Sequence, residues 1–75
     1  MQHAALCAAW AEAVGPESCH TRLDGVRRGV ATFVVDSSAL LAELRGFRKA
    51  ELLAAVQGRC PGLGIREIRL RPGRV

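Results

Sequence analysis

Between Arg28-Gly29 and Asp36-Ser37-Ser38 lies the run Val30-Ala31-Thr32-Phe33-Val34-Val35, rich in valine and apolar at both odd and even positions. Residues alternate between the two faces of a strand, so a run apolar on both faces needs neighbours on either side and belongs in the middle of a sheet. The rest of the chain must therefore supply a strand for each flank and helices to cover it. With 75 residues in all, the chain is expected to form one domain over 1–75, with a single modest core. Hydrophobic residues at 49% and charged residues at 24% are ordinary globular usage, which excludes a wholly disordered or low-complexity protein.

The flanking elements follow from local signals. Gln2 to Val14 places His3, Leu6, Cys7, Trp10, Ala13 and Val14 on one helical stripe among alanines, and Gly15-Pro16 ends it. Cys19 to Val26 reads as a strand, joined to Val30–Val35 as a hairpin in which Gly29 takes the positive φ of a short loop. Asp36, Ser37 and Ser38 are three candidate N-caps for a helix carrying Leu40, Leu41, Leu44 and Phe47. Gly46 interrupts that helix, and Lys49 to Gln57 resumes it with Leu52, Leu53 and Val56 inward, until Gly58 and Pro61-Gly62 stop it. Ile65 to Arg71 reads as a half-exposed strand with Ile68 and Leu70 on one face and Glu67, Arg69 and Arg71 on the other.

The order α-β-β-α-α-β predicts an α+β two-layer sandwich with helices on one face of a three-stranded sheet. The other face is expected to show Val30, Thr32 and Val34 beside Arg69 and Arg71, an apolar strip next to a basic one.

Ten arginines and Lys49 against seven acids leave a net charge of +4, which favours a polyanionic partner. The first cation is Arg22, and no stretch reaches the roughly 18 apolar residues of a membrane span, so neither a secretory signal nor a membrane segment is expected. Cys7, Cys19 and Cys60, odd in number and without a CxxC pair, read as free thiols of a cytoplasmic protein.

Several residues together resemble a known family. Trp10 followed by Ala13-Val14-Gly15, the pair His20-Thr21, Gly29 before the second strand, Phe33-Val34-Val35-Asp36-Ser37-Ser38-Ala39 with Glu43-Leu44, Leu52-Leu53, and the basic strand before Pro72-Gly73 are similar, in order, to the bacterial DciA-like domain family. Leu40 stands where that family usually has a second tryptophan. The resemblance implies a fold like a type II KH domain and a role in binding DNA, in preference to RNA, and the replicative helicase during its loading. It also implies that the Gly46 turn, with Arg45, Arg48 and Lys49, occupies the place of the GxxG clamp, although Lys49 replaces the second glycine.

The candidate nucleic-acid-binding residues are Arg22, Arg27 and Arg28 of the hairpin, Arg45, Arg48 and Lys49 of the turn, and Arg66, Arg69 and Arg71 of the last strand, with Arg74 beyond them. Against this stands a solvated strand face partly neutralised by Asp24 and Glu67. Base reading has no support in the sequence: tyrosine is absent, and Phe33 and Phe47 fall on apolar stripes. Trp10 reads as the core plug of the first helix, in company with Leu6, Leu44, Leu53 and Ile68.

No catalytic constellation emerges. His3 and Cys7 have zinc-like i, i+4 spacing, but Cys19 and His20 as strand neighbours point apart, so no metal centre and no Cys-His nucleophile is expected. Ser37-Ser38 is explained by capping. The chain therefore reads as a non-enzymatic binding module without a cofactor. The alternative is a protein-interaction or homodimerisation domain that uses Val30, Val34 and an edge strand.

Overall fold

The computed structural model describes residues 3–75. The expected helical start at Gln2 lies outside them. Helix α1, Ala4–Val14, is followed by a 3-10 turn, Pro16–His20, and by strands β1, Thr21–Arg27, and β2, Val30–Val35. Helix α2, Ser38–Glu43, passes through a π-helical turn at Leu44–Arg48 into α3, Lys49–Arg59. A 3-10 turn at Pro61–Leu63 leads to β3, Glu67–Pro72.

The sheet order is β1-β2-β3, with the apolar strand in the centre, antiparallel to β1 and parallel to β3. This mixed three-stranded sheet with its helices is an α+β arrangement consistent with a KH-like fold. Ala31, Phe33 and Val35 of β2 and Ile68 and Leu70 of β3 join Leu6, Trp10, Val14, Leu40, Leu41, Leu44, Leu52 and Val56 in one core. The helices thus share one face of the sheet. Trp10 stacks on Phe33 with ring centroids 3.8 Å apart, and its indole N–H donates to Thr21 Oγ1 at 2.9 Å. The polar edge of the largest side chain is thereby satisfied as its rings are buried.

Local chemistry fixes the connections. Gly15 closes α1 at φ 94°. Arg28 and Gly29, at φ 52° and 81°, are both in the positive region that a two-residue hairpin loop needs at its central positions. Gly29 serves a second purpose, because a Cβ there would lie 2.8 Å from the Gly64 carbonyl. The chain before β3 docks on that spot through the Arg66 and Glu67 N–H groups, which donate to the Gly29 carbonyl at 2.8 and 3.2 Å. Of the three candidate caps Ser37 is used, its hydroxyl accepting from the Leu40 N–H at 3.3 Å, while Asp36 pairs with His20.

Four expectations are corrected. Cys19 and His20 belong to the 3-10 turn and not to β1, because Pro16 starts a tight helical turn that carries the chain away from α1 before it extends. Gly58 is retained inside α3, and termination waits for Pro61. Cys7 is exposed despite its place on the stripe of α1. Phe47, expected to point inward, is 89% exposed. The π turn accommodates one more residue than an α turn, so Leu44, Arg48, Leu52 and Val56 fall at intervals of four on the inner side and Phe47 is turned out.

Candidate nucleic-acid interface

The sheet face opposite the helices is built in three cross-strand rows. The register sets Arg27, Val30 and Glu67 in one row, Gly25, Thr32 and Arg69 in the next, and Arg22, Val34 and Arg71 in the third. Arg22, Arg27, Arg69 and Arg71 are exposed. Neighbouring strands lie about 4.8 Å apart, so Arg22 and Arg71 flank β2 over about 10 Å, and Arg69 and Arg71 follow each other at about 6.6 Å along β3. Two acids share the face: Asp24 lies 3.5 Å from Arg22 and Glu67 lies 3.6 Å from Arg69. Among the described residues Arg27 and Arg71 have no ion-pair partner. Asp24 sits where the β1 register shifts between Leu23 and Gly25. The irregularity and the charges interrupt a free edge that would otherwise invite strand pairing.

The apolar strip expected on this face is largely closed. Val34 is buried at 1% exposure because the segment after β3 passes over it. The Gly73 N–H donates to the Val35 carbonyl at 3.2 Å, and a Cβ on Gly73 would meet Val34 Cγ1 at 2.7 Å. The Arg74 carbonyl then accepts from Arg22 Nη2 at 3.3 Å. The segment therefore crosses from β3 over β2 to β1. It leaves Val30 and Thr32, both half-buried, as the open part of the strip. The basic positions stay exposed around it.

The turn cations are placed differently. Arg45 Nη2 donates to the Leu70 carbonyl at 2.9 Å, which fixes the π turn to β3. Arg48 reaches across to α1, donating to the carbonyls of Ala13 at 2.6 Å and Val14 at 3.3 Å, with Glu43 and Glu51 each 3.7 Å from its guanidinium. The guanidinium thus satisfies carbonyls at the end of α1 that have no helical donor, where a positive charge is also favoured by the helix dipole. Lys49 is exposed and has no ion-pair partner among the described residues. Arg66 Nε donates to the Arg28 carbonyl at 2.9 Å, bracing the hairpin loop, while the exposed Arg28 side chain extends the basic surface. Arg22, Arg27, Arg69 and Arg71 are therefore gathered on one face, Arg28 and Arg66 lie at its hairpin end, and Arg45, Arg48 and Lys49 lie in the helical layer.

A family match is consistent with this arrangement. The sequence profile described as "Dna[CI] antecedent, DciA" matches residues 1–70 of the chain. The chain belongs to the DciA family. Membership places it in the context of replicative helicase loading, and the DciA family is one of loading and binding proteins rather than known enzymes. No curated protein matches the chain. No described helix of this DciA-family protein is long and apolar enough to cross a membrane.

Sequence reasoning missed two features of the surface. The crossing of the chain after β3 has no local signal beyond Gly73, whose lack of a side chain permits close approach to Val34. The outward position of Phe47 depends on the π turn. Gly46 was the available hint, since glycine weakens a helix interior and here meets open space.

Proposed function

We propose that this DciA-family chain is a nucleic-acid-binding module that contacts DNA through its phosphates, with the replicative helicase as its protein partner during loading. The observation that carries the reading is the basic rim of the sheet face opposite the helices, which stays exposed around the crossing segment. Four guanidiniums, Arg22, Arg27, Arg69 and Arg71, surround a single half-open apolar strip there, against only Asp24 and Glu67. Arginine forks on a rigid sheet are pre-positioned for phosphate oxygens, and such contacts set orientation without reading sequence. Arg28 and Arg66 extend the positive field at the hairpin end, while Arg45, Arg48 and Lys49 lie in the helical layer, apart from this face. Family membership supports the helicase as partner and DNA over RNA.

A salt titration tests the reading. With about three phosphates neutralised, log affinity for an oligodeoxynucleotide falls against log salt with a slope of roughly −2 to −3. Reversing charge in the double variant R69E/R71E removes two of those contacts and flattens the slope to about −1. Affinity independent of salt, or a slope unchanged in the variant, refutes the assignment.

A further inference from the structure

The outer face of the sheet carries no helix, yet Val34 on it is as fully buried as Phe33 and Val35 beside it on β2. The cover is the segment Gly73-Arg74-Val75, and its hold on the sheet is uneven. At the near end Gly73 lies so close to Val34 that a Cβ there would meet Val34 Cγ1 at 2.7 Å, and its N–H donates to the Val35 carbonyl at 3.2 Å. At the far end the Arg74 carbonyl accepts from Arg22 Nη2 at 3.3 Å. Val75 borders an open cavity of about 310 Å³ between α1 and β1 and stays 50% exposed, so its seat is unfilled where a packed interior would leave no such void. Both bonds are at or beyond the long end of the N–H···O range, and the docking of the chain before β3 on the hairpin, through the Arg66 N–H at 2.8 Å, is tighter. The segment is therefore a strap that continues from Pro72 and is fastened at its far end by one arginine.

That arginine has a second use. Arg22 stands in one cross-strand row with Val34 and Arg71, among the guanidiniums assigned above to phosphate. Asp24 lies 3.5 Å from its Nη1, which leaves Nη2 as the nitrogen for which the strap and a phosphate compete. A guanidinium bond to phosphate is charge-assisted on both sides, whereas the bond to the Arg74 carbonyl has a neutral acceptor and is the weaker of the two. A phosphate arriving at Arg22 thus displaces the carbonyl, and the strap loses its fastening. We propose that Gly73-Arg74-Val75 is an autoinhibitory strap: its Arg74 carbonyl occupies Arg22 in the free protein, and a nucleic-acid phosphate takes that place on binding and lifts the strap from Val34. The proposal rests on the arginine reading above and names how that site is regulated.

The test lifts the strap without altering charge. In Gly73→Val the new side chain has no room against Val34, while Arg74 and its charge are retained. The ligand then no longer has to displace the strap, and affinity for the oligodeoxynucleotide of the salt titration rises by about 5- to 30-fold, the equivalent of about 1–2 kcal/mol. In an Arg22→Ala background the same change gives no gain, because the contested nitrogen is gone. In the wild type, saturation with the oligodeoxynucleotide speeds exchange of the Gly73 amide, where a ligand laid over an intact strap slows it. Gly73→Ala, whose Cβ alone makes the 2.7 Å approach, shows a gain in the same direction and replaces the valine variant if circular dichroism finds that one unfolded. Unchanged or lower affinity in the folded variant, an equal gain in the Arg22→Ala background, or slower exchange of the Gly73 amide each overturns the strap, and the arginine reading stands as long as R69E/R71E still weakens binding. Failure of the wild-type chain to bind the oligodeoxynucleotide overturns both readings together.

Discussion

Replacing Arg48 by methionine removes a guanidinium while preserving most of the side-chain stem, and the structure sets the size of the effect. The side chain is 20% exposed and donates to the carbonyls of Ala13 and Val14. Hydrogen bonds from a charged donor contribute about 1.5–3 kcal/mol; the low end applies to the 2.6 Å bond to Ala13, because carbonyls at a helix end are partly rehydrated once the donor is gone, and the long 3.3 Å bond to Val14 adds only about 0.5 kcal/mol. The pairs with Glu43 and Glu51 at 3.7 Å involve acids that are 48% and 64% exposed, so screening limits them to a few tenths of a kcal/mol each. The sum is about 2–3 kcal/mol. In a domain of this length each kcal/mol moves the melting temperature by about 4–8 °C, so Arg48→Met melts about 8–24 °C below wild type by circular dichroism. Arg48→Lys retains the charge but offers one ammonium to two carbonyls, and melts between the two. The oligonucleotide salt slope of Arg48→Met stays at the wild-type value. A melting temperature within about 3 °C of wild type together with a flattened slope refutes the structural role and makes Arg48 a phosphate ligand instead.

Two further substitutions probe how the sheet face is shaped. Gly29→Ala places a side chain at φ 81° and 2.8 Å from the Gly64 backbone oxygen. Strain and displacement together are expected to cost about 2–4 kcal/mol by denaturant unfolding, and a loss under about 1 kcal/mol contradicts the close approach. Gly73→Val forces the crossing segment away from Val34, whose Cγ1 lies 2.7 Å from the position of the new Cβ. Loss of one backbone hydrogen bond and part of one valine burial predicts about 1–2 kcal/mol of destabilisation. Faster exchange of the amide at position 73, which donates to the Val35 carbonyl, follows, and exchange unchanged there shows that the segment does not depend on the glycine.

Binary pattern and turn chemistry made most of the architecture legible. The β2 run, apolar on both faces, required a central position, and it has one between β1 and β3. Trp10, Leu6, Leu44 and Ile68 were readable as core because their spacing matched a helix or strand period and nothing in tertiary space competed for them. The basic positions on the outer face were readable too, since alternation along β3 fixes Arg69 and Arg71 on the side opposite Ile68 and Leu70.

What periodicity could not convey depends on contacts between residues far apart in the chain. Arg45 and Arg48 are alike in sequence context to Lys49, yet one is bonded to β3, one to α1, and the third has no such bond among the described residues. Phe47 kept the apparent spacing of a core residue, but the single extra residue of the π turn shifted the helical phase and released it to solvent. Val34 kept the pattern of an exposed strand position and is buried by a segment that returns over the sheet at Gly73. Local sequence decides period and direction because these follow from backbone geometry within a few residues. Which cations and which aromatic ring remain available to a ligand is decided only when distant carbonyls and glycines come within bonding distance.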